Sequence, residues 1–229
     1  MADEGYTAGY AEFWHANSIR EMSDGRIDMY CFAAFNTPLE MGYMTSINQT
    51  YHWLQLVSHD TERPLEGKVC IVLSTDEYNC CLWKTQMEDY LIYSNDDYKI
   101  FGFESYEHML SVIGSYSYAF NGEFLGSGYD EDGVRVLYPT GYQFGPYITF
   151  YEGRYRVTVE GSNIQYIAMD CTSFSGSNHF QYDEISHTDT GYVVEFTCDC
   201  DHYEGEVALY NTSDSECVTL TRVSIDHIS

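Results

Sequence analysis

The sequence predicts an α+β chain: a small three-layer α/β domain over residues 1–114, followed by an antiparallel β-sandwich of jelly-roll type over residues 115–229. Three observations carry this. Up to Gly114, helical and extended hydrophobic patterns alternate. Beyond it, strand patterns recur roughly every eight to twelve residues between turn signals. Aromatic residues make up 17% of the chain, with 23 Tyr and 12 Phe against 3 Trp, a composition that suits pleated surfaces.

In the first domain, Ala8–Met22 carries Tyr10, Phe13, Trp14, Ile19 and Met22 at near-helical spacing, and Ser23-Asp24-Gly25 stops it with a glycine suited to a left-handed cap. Ile27–Ala34 reads as a strand. Thr45–Ser58 reads as a helix with Ile47, Tyr51, Leu54 and Val57 on one face and Thr45 or Ser46 as its cap. The apolar run Val69–Ser74 predicts a strand covered on both faces, as in a parallel sheet. A third helix is expected within Tyr78–Tyr90, a strand over Tyr98–Phe103 and a helix over Ser105–Ile113 capped by Ser105. No glycine-rich phosphate loop follows any of these strands. Ser74-Thr75-Asp76-Glu77 has the wrong sign for a phosphate.

In the second domain, strands are expected at Ser115–Phe120, Val134–Tyr138, Tyr147–Phe150, Arg154–Glu160, Ile164–Met169, His179–Ile185, Tyr192–Cys198, Gly205–Tyr210 and Cys217–Ile225. Turns are expected at Asp132-Gly133, Glu152-Gly153, Gly161-Ser162-Asn163, Thr190-Gly191 and Asn211–Asp214. The stretch Gly141–Gly161, "GYQFGPYITFYEGRYRVTVEG", alternates, turns at Glu152-Gly153 and alternates again. It reads as a hairpin.

Charge narrows the partners. The net charge is −26, spread evenly: residues 1–114 hold eighteen acids and six bases, residues 115–229 eighteen and four. Such a chain repels phosphates and anionic lipid, so nucleic acid is not an expected partner. No apolar run is long enough to cross a bilayer, and the first residues lack a basic and then apolar leader. The eight cysteines follow no small disulfide framework. Cys198-Asp199-Cys200, with Cys171, His179, His187 and His202 available, lacks the paired spacing of a zinc site, so ordinary strand cysteines are the preferred reading.

Two stretches carry a resemblance. "GYAEFWHANSIREMSDGRIDM", Gly9–Met29, resembles the segment after the last membrane helix of bacterial multi-spanning glycosyltransferases of the dolichyl-phosphate-mannose mannosyltransferase type. Gly9, Tyr10, Ala11, Phe13, Trp14, Asn17, Glu21, Ser23, Gly25 and Ile27 carry it. "FGPYITFYEGRYRVTVEG" is similar to a carbohydrate-binding-like β-sandwich module of surface-polysaccharide proteins. There Gly145, Pro146, Tyr147, Ile148, Gly153, Tyr155, Val157 and Gly161 match, and Phe150 replaces an aliphatic residue. "LYNTSDSECVTLTRVSI" resembles that module's last strand pair. The resemblance implies an extracytoplasmic region of a cell-envelope protein, itself soluble, whose partners are a glycan or the membrane domain of its parent. The transferase carboxylates of that family lie between membrane helices, so no catalytic residue carries over and the chain is expected to be non-catalytic.

The residues expected to bind sugar lie in "GSGYDEDGVRVLYPTGYQFGPY". Tyr129, Tyr138, Tyr142 and Tyr147 offer ring faces; Asp130, Asp132 and Gln143 offer partners for hydroxyls. The competing reading of the tyrosines is an ordinary sheet, half core and half surface. Asp130-Glu131-Asp132-Gly133 could hold a structural calcium, although a solvated turn is preferred and no other cofactor is expected. Two alternatives to glycan binding stand: a structural or protein-interaction module, and, third, a carbohydrate-active enzyme.

Overall fold

The computed structural model describes residues 1–32, 66–81, 84–118, 125–174 and 176–228. The fold is β-rich, and two compact units make up the chain, Met1–Ile113 and Gly114–Ser229.

The first unit contains β1 (Tyr6–Glu12), α1 (Phe13–Met22), β2 (Asp28–Phe32), β3 (Lys68–Ser74), α2 (Thr75–Cys80), α3 (Lys84–Met87), β4 (Leu91–Ser94), β5 (Tyr98–Phe103) and α4 (Tyr106–Ile113). Its five-stranded sheet runs β2-β1-β3-β5-β4. β1 is parallel to β2 and β3, whereas β5 is antiparallel to both β3 and β4. The sheet is therefore mixed, and β3 has a parallel neighbour on one side only.

The helix expected over Ala8–Met22 begins at Phe13; Ala8–Glu12 is strand. Packing on both faces decides this against the helical spacing. Tyr6, Ala8, Tyr10 and Ala11 are all buried between two neighbouring strands. A Cβ on Gly9 would stand 2.5 Å from the Cys70 sulfur and 2.8 Å from the Met29 sulfur, so glycine lets the three strands close up. Ser74–Glu77 forms a capping box that starts α2: Glu77 N–H donates to Ser74 Oγ at 3.2 Å and Ser74 N–H to Glu77 Oε2 at 2.5 Å. The single helix expected within Tyr78–Tyr90 is instead the end of α2, then α3 and a 3₁₀ turn at Glu88–Tyr90. Val69–Ser74, Tyr98–Phe103 and the Ser105 cap are as expected, the last through His108 N–H to Ser105 Oγ at 3.1 Å. β4 was not expected. The helix expected at Thr45–Ser58 lies outside the described residues.

The second unit is antiparallel throughout. It contains β6 (Tyr116–Tyr118), β7 (Leu125–Gly126), β8 (Gly128–Glu131), β9 (Val134–Leu137), β10 (Tyr142–Phe144), β11 (Pro146–Phe150), β12 (Gly153–Ser162), β13 (Ile167–Ser173), β14 (Asn178–His179), β15 (Tyr182–His187), β16 (Gly191–Cys198), β17 (His202–Asn211) and β18 (Val218–His227). A six-stranded sheet runs β14-β13-β17-β10-β7, with β11 also on β17. A seven-stranded sheet runs β15-β16-β12-β18-β9-β8, with β6 also on β18.

The stretch read as a hairpin is not one. β11 pairs with β17, whereas β12 pairs with β16 and β18, so the chain passes from one sheet to the other at Tyr151–Glu152. The crossing is fixed by aromatic burial. Phe150 from the six-stranded sheet meets Tyr155 and Phe196 from the seven-stranded sheet at centroid separations of 5.1 and 5.2 Å, and Phe180 closes the cluster 4.9 Å from Phe196. The Tyr155 hydroxyl accepts the Tyr151 N–H at 2.7 Å. Such ring pairs add about 0.5–1.5 kcal/mol each beyond their buried area. The strand expected from Ile164 starts at Ile167. Ile164–Tyr166 is a 3₁₀ turn after Asn163 at φ 61, with Ile164 fully buried and its N–H on the Asp189 carbonyl.

Candidate functional site

The outer face of the six-stranded sheet gathers aromatic rings and carboxylates on its strands. Alternation along β17 sends Val207, Leu209 and Asn211 inward and Glu206, Ala208 and Tyr210 outward. The register places Ala168, Asp170 and Thr172 of β13 beside Tyr210, Ala208 and Glu206, respectively. On the other side Tyr142 of β10 stands opposite Tyr210. Tyr142 and Phe144 stack in parallel at 6.0 Å, and Tyr147 meets the edge of Phe144 at 6.3 Å. Tyr147 is the extra residue of a bulge in β11, since Pro146 opposes Glu206 and Ile148 opposes Gly205. Its φ of 64 is a left-handed conformation that a tyrosine adopts at a cost in strain.

The rim of this face carries phenol, hydroxyl and carboxylate groups. The Tyr147 hydroxyl bonds to the Glu206 carboxylate; burial first, then Glu206, pushes its pKa up and keeps the phenol protonated. Thr172 Oγ1 donates to Glu206 Oε1 at 3.1 Å. Burial, with Asp170 and Glu206 nearby, likewise raises the Tyr210 phenol. His179 Nδ1 lies 2.9 Å from Asp170 Oδ2. Beside the rings, Ala168 is exposed, whereas Ala208 is buried. Tyr142 and Tyr210 are 45% and 44% exposed, enough for a flat ligand to cover both.

The residues expected from sequence separate. Tyr142 and Tyr147 belong to this face. Tyr129 and Tyr138 pack on each other at 5.8 Å on the β8–β9 hairpin of the other sheet. Asp130 is held in an ion pair with Arg135 at 3.5 Å. Asp132 and Gly133 take left-handed φ values of 52 and 77 in a primed hairpin turn. Gln143 is a correction: it is 1% exposed, because alternation along β10 turns it inward, away from Tyr142 and Phe144. Phe144, Asp170, His179, Glu206 and Tyr210 were missed. The outward alternation of Asp170, Glu206 and Tyr210 is readable in "IAMDCT" and "EVALYN", but the pairing of these two segments, far apart in sequence, is not.

Among the described residues one group of three metal-ligating side chains converges, and it is not the acidic Asp130–Asp132 turn. It is Asp199, Cys200 and His202, in the connection from β16 to β17. Cys70, Cys81, Cys171, Cys198, Cys200 and Cys217 are unbridged. Burial pushes Cys70 and Cys198 up to about 12, as befits inert packed thiols. No described helix is long and apolar enough to cross a membrane.

No family model, no curated protein and no solved structure matches the chain.

Proposed function

We propose that Gly114–Ser229 is a non-catalytic carbohydrate-binding β-sandwich, jelly-roll-like, which follows a small three-layer α/β domain and holds a neutral glycan on its six-stranded sheet. In this reading the chain is the extracytoplasmic part of a cell-envelope protein of the membrane-glycosyltransferase type and orients glycan for its parent. The observation that carries the proposal is the pairing of Tyr142 with Tyr210 across β10 and β17, with Asp170 and Glu206 on the neighbouring positions of the same face. Ring faces take the C–H faces of sugars, and carboxylates accept their hydroxyls. The net charge of −26 disfavours an anionic polysaccharide and leaves a neutral one. The similarity of Gly9–Met29 and Phe144–Gly161 to envelope-glycan proteins supports the same reading.

The test is a glycan array followed by calorimetric titration of the full chain with the neutral oligosaccharides retained. Tyr142→Ala and Tyr210→Ala should each weaken binding about tenfold or more, the loss of one well-placed aromatic contact. Tyr129→Ala should leave it unchanged. A folded chain that retains no saccharide, or one whose binding depends on Tyr129 and not on Tyr210, overturns the proposal.

A second reading, a protein-interaction module, is favoured by β4. It lies at the margin of its sheet, and Leu91, Ile92 and Tyr93 are 42%, 44% and 51% exposed. Such an edge accepts an added strand from a partner.

A further inference from the structure

We propose that Asp199, Cys200 and His202 form a binding site for one divalent transition-metal ion of the zinc class, with a fourth position open to solvent or a ligand. The inference stands apart from glycan binding.

Three donor types converge within one four-residue segment. His202 Nε2 lies 3.6 Å from Cys200 Sγ and 3.2 Å from Asp199 Oδ1, and all three donor atoms fall within 4.8 Å of one another. Zinc bonds of about 2.3 Å to sulfur and about 2.0–2.2 Å to nitrogen and oxygen, at tetrahedral angles, place sulfur and nitrogen about 3.6 Å apart and nitrogen and oxygen about 3.4 Å apart. The two spacings from His202 Nε2 are therefore close to those of a zinc tetrahedron before any ion enters. Thiolate, imidazole and carboxylate together select zinc, cobalt or nickel over calcium or magnesium, which want oxygen alone.

The imidazole is also aimed. Ser173, fully buried, holds His202 Nδ1 at 3.2 Å through its hydroxyl, and Asn178 Nδ2 donates to the same oxygen at 3.1 Å. In the tautomer whose Nδ1–H donates to Ser173, Nε2 is left to bond an ion on the side of Asp199 and Cys200, the arrangement in which metal-ligating histidines are held. Buried Phe180 and exposed Phe174 stand 4.8 and 5.7 Å from the ring and hold it by packing. Asp199 and Cys200 are exposed, which gives the ion a way in. Two anionic ligands balance a divalent charge, and Asp201 and Glu152 close by add to a field that attracts cations.

The test uses the full chain without a polyhistidine tag, reduced and freed of metal by a chelator, and titrated with Co²⁺. The expected result is one equivalent bound, with the visible bands of tetrahedral cobalt and a thiolate-to-metal charge-transfer band, both lost on adding Zn²⁺. Cys200→Ser should abolish the charge-transfer band, and Asp199→Asn should weaken binding about tenfold or more. Both positions are exposed, so these variants keep the fold, and Cys217→Ser should behave as the parent chain does. The proposal is overturned by no stoichiometric end point, by an octahedral spectrum without a charge-transfer band, or by a band that survives Cys200→Ser or disappears in Cys217→Ser.

Discussion

The imidazole of His227 lies where a side chain on Gly153 would have to stand. A Cβ built on Gly153 runs into His227 Nε2, and the glycine sits at φ 141, a conformation closed to other residues. The His227 ring packs edge-on against Tyr155 at 5.0 Å, and Nε2 bonds to the Glu152 carbonyl at 3.2 Å. The start of β12 and the end of β18 are thus locked together where the chain enters the seven-stranded sheet.

Gly153→Ala should therefore destabilise the second unit by about 1–3 kcal/mol, the usual cost of one forced backbone conformation, before any displacement of His227 is counted. Urea unfolding checks this. A midpoint equal to that of the parent chain would show that the ring moves aside freely.

His227 also gives the unit an acid-sensitive component. Burial pulls its pKa below the usual 6.5, opposed by its bond to the Glu152 carbonyl and by Asp201. Its Nδ1 is buried without a partner among the described residues, so a second ring proton has nowhere to bond. Because the folded value is the lower one, the stability this group confers is present above the unfolded value and is lost as pH falls through the folded value. The melting temperature should fall from pH ~7 to ~5, and His227→Gln should flatten that slope. Asp226 has the opposite sign. Burial raises its pKa, so its contribution is present at low pH and is lost as pH rises through the folded value. Asp226→Asn should therefore steepen the decline at the acid end. Equal slopes in the parent and His227→Gln chains would remove His227 as the cause.

Gln143 is a polar side chain in an apolar place. It is 1% exposed, and its carbonyl oxygen has no hydrogen-bond partner among the described residues. An unsatisfied buried acceptor costs about 1–3 kcal/mol, so Gln143→Met, of similar shape, should leave stability unchanged or raise it by about that much. Chemical denaturation reads the change, and a clear loss would reveal a hydrogen bond that the side chain needs.

Strand alternation was the most legible signal. Arg154–Glu160 and Tyr192–Cys198 show it plainly, because one face of each is buried against rings from the other sheet. Val69–Ser74 was legible from its continuous apolar run. The misreadings share one cause. Ala8–Glu12 satisfies helical spacing, but neighbours on both sides claim it for the sheet. Gly141–Gly161 has the rhythm of a hairpin, but its two strands pair elsewhere. Similarly, of the expected site tyrosines Tyr129, Tyr138 and Tyr142 are exposed and Tyr147 is half-buried. Which of them share a face depended on the register of β10, β13 and β17, and register between distant segments leaves no local mark. Cys200 and His202 were set aside as ligands for want of paired spacing, and Asp199 and the inward anchor at Ser173 left no mark in the sequence pattern.

β18 is the spine of the seven-stranded sheet, with β12 along one side and β9 and β6 along the other. The hydroxyls of Ser117 and Ser224, 107 positions apart, end up 3.4 Å from each other across it. During synthesis, β6, β9 and β12 leave the ribosome with their shared neighbour still unmade, so their exposed edges must be kept from pairing wrongly in the meantime. Sheets closed by such distant partners form in milliseconds to seconds, so the slowest step of this sheet should be the docking of β18 between β12 and its partners β6 and β9.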